Sequence, residues 1–190
     1  IVHDEQEQLI VVVSAMGKTT NLLETLCNAY FHQDSKTKTI LEELKTFHLN
    51  IVNTLFPLND PVYKDLDELF TSLENILNSE SSLCYDYEYD RIICFGELLS
   101  TTIISDYLQM EGIRNQFIDI RKYLKTDQNY RNANIDLELS GLLCEEVFNF
   151  KNTATYVTQG FIAGTRTNQT TTLGREGSDY TAALLANLLN

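Results

Sequence analysis

The sequence predicts an α/β protein, an αβα sandwich with a mainly parallel sheet. Residues 9–15, LIVVVSA, are β-branched and apolar on both faces, which is typical of a buried parallel strand. A polar turn and an amphipathic helix pattern follow, and strand and helix patterns continue to alternate along the chain. Hydrophobic residues make up 43% of the 190, with only 8 glycines and 2 prolines, so the chain can bury a core and is not disordered.

The first half of the chain is predicted to be mostly helical after the opening strand. Apolar residues recur at helical spacing from 22 to 31, from 40 to 55 and from 62 to 77. Pro57 and Pro61 separate the last two stripes, because proline removes a helix hydrogen bond and clashes with the preceding turn. Each stripe is too short for a stable coiled coil, so we expect helices packed within one domain.

The second half alternates between helix and strand patterns. The predicted elements are helices at residues 91–109, 136–150 and 180–189, strands at 115–120 and 155–162, a polar loop at 164–172 and a tight turn at 174–179. The first of these helices is interrupted early by Gly96 and Glu97. No internal repeat or linker divides the chain, so residues 1–190 are predicted to form a single domain.

The charge of the chain argues against two classes of partner. There are 27 acidic and 14 basic residues, a formal net charge of −13. Such a surface repels phosphate backbones and anionic lipids, so we expect neither nucleic-acid nor membrane binding. An anionic substrate stays open, because the local field inside a cleft matters more than the net charge.

The N-terminus, the cysteines and the histidines predict the cellular location of the protein and exclude some kinds of site. The chain begins at Ile1 without a methionine or a targeting pattern, so we expect it to be the interior of a longer chain. The four cysteines have neither metal-ligand nor redox-motif spacing, and the three histidines share no motif. We therefore predict free thiols in a reducing cytoplasm, no metal site and no catalytic triad.

Gly17-Lys18-Thr19 follows the first strand but does not complete a phosphate-binding P-loop. That motif needs a glycine at position 12, where Val12 stands within the strand. We interpret the segment as a polar strand–helix turn. Such a turn still directs backbone amides and Thr20 at whatever lies at the helix N-terminus.

The segment Gly174-Arg175-Glu176-Gly177-Ser178-Asp179 is the most informative turn. Ser178 and Asp179 are good helix caps, and capping alone would explain one of them. Two glycines around an arginine instead favour a place where backbone approaches a ligand, with Arg175 able to hold a carboxylate. Both interpretations remain open on the residues alone.

Two further charged positions allow alternative interpretations. Glu97 has apolar neighbours on both sides, so it is either a partly exposed helix residue or a buried acid facing a cation. Asp119 and Arg121 stand at the end of a predicted strand, where open α/β sheets place functional loops. A surface ion pair between them is the alternative.

Four blocks of the sequence together resemble the aspartate kinases of the amino acid kinase superfamily. The blocks are residues 11–15 with 20–23, 96–101, 119–122 with 125–127, and 158–162 continuing through 170–182. The resemblance implies the amino acid kinase fold and transfer of a phosphoryl group from ATP, with Mg²⁺, to the β-carboxylate of L-aspartate. The product would be 4-phospho-L-aspartate, at the start of lysine, threonine and methionine synthesis. Members of the family are commonly dimers, so a homo-oligomer is expected.

The resemblance also implies roles for individual residues. The positions that match family site residues are Ser14, Thr20, Glu97, Arg175 and Ser178 for substrate binding and Asp179 for catalysis. Arg175 matches the group that grips the substrate carboxylate, and Glu97 matches the glutamate suited to the α-ammonium. Asp179 matches the aspartate that organises the polar groups around the transferred phosphoryl group.

The sequence departs from the family pattern at both ends. No Lys-Phe-Gly-Gly-type loop, which cradles ATP phosphates in the family, precedes residue 9, and the chain stops before the nucleotide-binding half and the regulatory ACT domains. We therefore expect this piece alone to lack kinase activity. Two alternatives remain, a kinase of the superfamily that acts on another acid such as glutamate, and a non-catalytic amino-acid sensor.

Overall fold

The computed structural model of the protein describes residues 8–189. The helices within that range are α1 (Thr19–Phe31), α2 (Thr37–Leu55), α3 (Pro61–Leu77), α4 (Tyr85–Ile93), α5 (Phe95–Met110), α6 (Leu137–Val147) and α7 (Gly177–Leu188). The strands are β1 (Leu9–Val13), β2 (Gln116–Ile118), β3 (Lys125–Thr126), β4 (Thr155–Gln159), β5 (Ile162–Thr165) and β6 (Thr170–Thr172). The N-terminal segment at Ile1, interpreted above as chain interior, and His3 lie outside the described residues.

The strands form two small sheets in which parallel pairing dominates. In the first sheet β4 lies between β1 and β2, and both neighbours run parallel to it, with Val11 and Phe117 opposite Val157. In the second sheet β5 is parallel to β3 and antiparallel to β6. This α/β arrangement with a parallel sheet confirms the predicted fold class.

Helix α5 lies at the centre of the buried core. It contacts all three strands of the first sheet and also α1, α3 and α4. Its side chains Leu99 and Ile103 are fully buried, as are Leu23 of α1 and Val157 of β4. Burial of each such aliphatic side chain contributes about 1.5–3 kcal/mol relative to exposure. The core therefore fixes the start of α5 against the end of β1, where the site described below lies.

The predicted break between the two long helical stripes is confirmed. Helix α2 ends at Leu55, and Pro61 is the first residue of α3. The side chain of Asp60 accepts a hydrogen bond from the Val62 amide, so α3 begins with a capping acid and a proline at its first position.

Two predicted elements are each divided in the structure. The helix predicted over residues 91–109 is two helices, which meet at Cys94, and the first begins earlier at Tyr85. The strand predicted over residues 155–162 is interrupted after Gln159, because Phe161 has a left-handed φ of 65° and turns the chain into the second sheet. Neither break follows from local apolar spacing.

The prediction of a polar loop at residues 164–172 is wrong in part. Strand β5 continues to Thr165, and Thr170–Thr172 form β6, antiparallel to it. Threonine is polar but β-branched, so a run of threonines also suits a strand. The last helix begins at Gly177 rather than at residue 180.

Candidate active site

One cavity of about 540 Å³ brings together all six residues that match site residues of the family. Its lining includes Ser14, Thr20, Glu97, Arg175, Ser178 and Asp179. Ser14 directly follows β1, and Phe161, which also lines the cavity, follows the end of the neighbouring parallel strand β4. The cavity therefore lies at the carboxyl ends of these strands, where open α/β sheets bind ligands.

Glu97 is the buried acid of this cavity. It lies in the first turn of α5 and is 3% exposed. Its Oε1 accepts a hydrogen bond from the Ala15 amide at 3.3 Å, whereas its buried Oε2 has no hydrogen-bond partner among the described residues. Burial raises the pKa of this carboxyl from 4.5 to about 7. An acid in this state is suited to a ligand that brings a positive charge.

Close packing positions Glu97 against the turn after β1. A Cβ at Gly96 would lie 3.0 Å from Ala15 Cβ and 3.3 Å from Leu23 Cδ1, so the missing side chain lets α5 approach the turn. The Ser100 hydroxyl, one turn later, donates to the Ser14 carbonyl at 2.8 Å. These contacts explain why Gly96 and Glu97 begin a helix here rather than interrupt one.

The N-terminus of α7 is packed equally closely against the β4–β5 connection. A Cβ at Gly160 would lie 2.6 Å from Ser178 Cβ, and one at Gly177 would lie 2.5 Å from Phe161 Cδ2. The Phe161 amide donates to Thr181 Oγ1 at 3.1 Å. This close packing orients the first turn of α7 towards the cavity.

The first turn of α7 carries no side-chain cap. Its N-cap residue is Glu176, in a left-handed conformation with a φ of 59°, and the Glu176 side chain accepts no capping hydrogen bond. Ser178 and Asp179 belong to the helix itself and do not cap it. Helix N-termini carry unsatisfied amides and a partial positive charge, which can bind an anion. The carboxylates of Glu176 and Asp179 line the same end of the cavity and oppose that attraction.

Arg175 adds a full positive charge to the same end. Its side chain is exposed and makes no ion pair with any residue in the described range 8–189. A guanidinium presents a planar fork that binds carboxylates bidentately. The cavity thus combines a buried carboxylate with cationic groups, which is the arrangement that a zwitterionic ligand needs.

Sequence reasoning missed a second group of lining residues, which includes Tyr89, Arg131 and Thr172. Behind them lies Asp90, which is fully buried. Its Oδ1 accepts from Thr172 Oγ1 at 2.7 Å, and its Oδ2 accepts from the Arg131 and Thr172 amides at 2.9 Å each. Burial raises the pKa of Asp90 to about 6, although these hydrogen bonds favour its charged form. The sequence feature that could have indicated this group is Asp90 itself, an acid at a buried helical position two residues before the apolar pair Ile92 and Ile93.

Other candidate positions lie outside this cavity. Asp119 and Arg121 form an ion pair at 2.8 Å, with side chains that are 18% and 28% exposed, so the pair is half-buried rather than at the surface. In the turn after β1 the Thr19 amide donates a hydrogen bond to the Met16 carbonyl at 3.1 Å. Of residues 16–20, Thr20 alone lines the cavity.

Within residues 8–189 no three acidic, histidine or cysteine side chains cluster as a metal site would require. None of the helices in that range has the length and apolar character to span a membrane.

Comparison with known proteins decides the family. Residues 1–190 match the amino acid kinase family over their whole length. The chain belongs to the amino acid kinase family. This member of the family is 29% identical over 192 residues to lysine-sensitive aspartokinase 3 of Escherichia coli strain K12, covering 100% of the chain and 42% of that protein. It is 30% identical over 178 residues to the aspartokinase of Chlamydia pneumoniae, covering 94% of the chain and 38% of that protein.

Solved structures of an amino acid kinase family member share the fold. Escherichia coli aspartokinase III in complex with lysine and aspartate superposes with a TM-score of 0.88 and 28% identity, over 98% of this chain and 41% of that one. The complex of the same enzyme with aspartate and ADP gives a TM-score of 0.84 and 28% identity, over 95% and 40%. The chain therefore spans about two fifths of the length of these two aspartokinases.

Proposed function

We propose that this amino acid kinase family member binds L-aspartate in the cavity and belongs to an aspartate kinase. The observation that carries the proposal is the buried Oε2 of Glu97, which has no partner among the described residues and shares a cavity with Arg175. Glu97 would bind the α-ammonium, while Arg175 and the uncapped start of α7 would bind carboxylate. The solved aspartokinase III complexes, which contain aspartate, support the choice of ligand.

The reaction needs positioning more than acid–base chemistry. A side-chain carboxylate with a pKa near 4 is already ionised at neutral pH, so no base has to activate it. One carboxylate oxygen attacks the γ-phosphorus of ATP, the bond to ADP breaks, and 4-phospho-L-aspartate forms. The contribution of this chain is to hold the aspartate in line and to offset its charge. Asp179, exposed at the cavity, is the proposed catalytic residue, and Ser14, Thr20 and Ser178 are proposed to contact the substrate.

The donor ATP and its Mg²⁺ are proposed from the resemblance and from the ADP bound by the solved relative. The described cavity residues fit an amino acid, but the turn after β1 offers no glycine-rich phosphate loop, since Val12 lies within β1. Lack of activity in the isolated chain, a homo-oligomeric state and a cytoplasmic location likewise stay predictions.

Calorimetric titration with L-aspartate tests the proposal, with L-glutamate and D-aspartate as competitors for specificity. We expect saturable binding that prefers L-aspartate and weakens at least about tenfold in Glu97→Gln and in Arg175→Met. The matched controls are Glu145→Gln and Arg114→Met, which remove an exposed acid and an exposed arginine outside the cavity.

Three outcomes would contradict the proposal in different ways. Absence of binding by a chain that circular dichroism shows to be folded would remove the aspartate site. A preference for L-glutamate would favour a kinase for another acid. Binding of L-aspartate together with no phosphoryl transfer by the full-length protein would favour an amino-acid sensor.

A further inference from the structure

A second arginine reaches the cavity, and the proposed function so far gives it no role. Arg131 lies between β3 and α6 and lines the cavity together with Arg175. Its side chain is 43% exposed. Its guanidinium carbon lies 4.3 Å from the centroid of the Tyr89 ring, and its Nη1 lies 3.3 Å from Asp86 Oδ1. The charge is thus held over an aromatic face at the edge of the cavity.

The backbone of Arg131 is fixed on both sides. Its φ of 66° is left-handed, a conformation that a long side chain adopts only where the surroundings impose it. The amide of Arg131 donates to the buried carboxylate of Asp90 at 2.9 Å. On the other side, a Cβ at Gly174 would lie 2.7 Å from Asn132 Oδ1, so this segment packs directly against the turn that carries Arg175. The two arginines are therefore presented by two segments in contact.

The proposed ligand has more charged groups than the residues assigned so far would bind. L-aspartate carries one ammonium group and two carboxylates, whereas Glu97 would bind the ammonium group, and Arg175 and the adjacent start of α7 would together bind one carboxylate. The existing partner of Arg131 is Asp86, in a pair whose side chains are 43% and 54% exposed. Exposed pairs of this kind contribute little, so a ligand carboxylate can replace Asp86 at small cost. The Tyr89 ring would keep the guanidinium plane in place during the exchange.

We propose that Arg131 binds the carboxylate of a dicarboxylic amino acid that Arg175 does not hold, and thereby selects dicarboxylic over monocarboxylic amino acids. This inference rests on the proposed function, since it assigns the second anionic group of the same ligand. Arg131 acts by direct contact with the substrate, and Asp90 acts through Arg131 as a positioning residue.

Two substitutions of Arg131 separate binding from backbone effects. Arg131→Met removes the charge and keeps an unbranched apolar side chain. Arg131→Gly removes the whole side chain and suits the left-handed φ, so its fold is preserved even if methionine is not tolerated. Arg114→Met, an exposed arginine outside the cavity, is the control.

The ligands are L-aspartate and its two monoamides. L-asparagine keeps only the α-carboxylate, and L-isoasparagine, which is L-aspartic acid α-amide, keeps only the side-chain carboxylate. We expect both Arg131 variants to bind L-aspartate about tenfold more weakly than the unsubstituted chain in calorimetric titration. One monoamide should bind the variants and the unsubstituted chain alike, because it lacks the carboxylate that Arg131 holds. The other should stay sensitive, and Arg175→Met should show the opposite pattern. Asp86→Asn should raise the affinity for L-aspartate about two- to threefold, because it removes the competing carboxylate.

The results separate this inference from the proposed function. If the unsubstituted folded chain binds no L-aspartate, both the proposed function and the role of Arg131 are wrong. If the unsubstituted chain binds L-aspartate and both Arg131 variants bind it with the same affinity, only the role of Arg131 is wrong. Equal weakening of both monoamides would also overturn it, because a general change in the cavity and not one lost carboxylate contact would then explain the loss.

Discussion

Glu97 combines a proposed role in ligand binding with a cost in stability. Its carboxyl is almost completely buried, and one oxygen has no partner among residues 8–189. In the folded chain its pKa is about 7, compared with 4.5 for the unburied group. Between these values the folded state binds more protons than the unfolded state, so this group makes folding more favourable as the pH falls from 7 towards 4.5. Above pH 7 the charged, buried form carries its full desolvation cost.

The first prediction follows from this sign. A pKa difference from 4.5 to about 7 corresponds to roughly 3 kcal/mol. We expect Glu97→Gln to raise the free energy of unfolding by an amount of this order at pH 8 and to change it little at pH 4.5. Urea unfolding at both pH values measures the difference, with Glu145→Gln as the control. An equal gain at both pH values would contradict the assigned cause.

At the scale of elements, apolar spacing predicted the helices better than the strands. The two proline-separated stripes became α2 and α3, because each carries a continuous apolar face that packs on the core. Strand β6 was missed because its threonines are polar, although Thr171 and Thr172 are buried. What makes them a strand is the antiparallel pairing with β5 and the acceptor that Asp90 provides, and Asp90 lies 82 positions earlier in the chain.

The second prediction concerns this link between α4 and β6. Thr172→Val keeps the shape of the side chain but removes the donor 2.7 Å from Asp90 Oδ1, leaving a buried carboxylate oxygen without that hydrogen bond. Such a loss costs about 1–3 kcal/mol. We expect a decrease of that order in the free energy of unfolding at pH 7.5. The control is Thr25→Val, whose hydroxyl is exposed, and an equally small effect of both substitutions would contradict the role of Asp90.

At the scale of the whole molecule, the net charge of −13 acts on stability rather than on the fold. Like charges repel more strongly in the compact state than in the unfolded chain, and salt screens this repulsion. The third prediction is therefore that raising NaCl from about 0.01 to 0.3 M increases the melting temperature at pH 7.5. Near pH 4.5 many carboxylates are protonated, so the increase should be smaller. A melting temperature that falls with added salt would contradict this account.

The candidate site could be predicted only in part, because some of its residues lie far apart in the sequence and meet only in the folded chain. The six predicted residues came from family motifs, and the structure places all six at one cavity. Their roles stay predictions. Arg131 and Tyr89 were missed because no local pattern brings residues 42 positions apart into contact. Their proximity depends on the buried hydrogen bonds of Asp90, whose partners lie in separate segments.

The close docking of α7 on the β4–β5 connection has a consequence for how this sequence can change over time. Gly160 and Gly177 each leave no room for a Cβ, because the first would meet Ser178 and the second would meet Phe161. A larger residue at either position displaces the first turn of α7, and with it the amides that face the cavity. Substitutions at positions 160, 161, 177 and 178 are therefore expected to be epistatic: a change at one is accepted only in backgrounds where the facing residue has already changed.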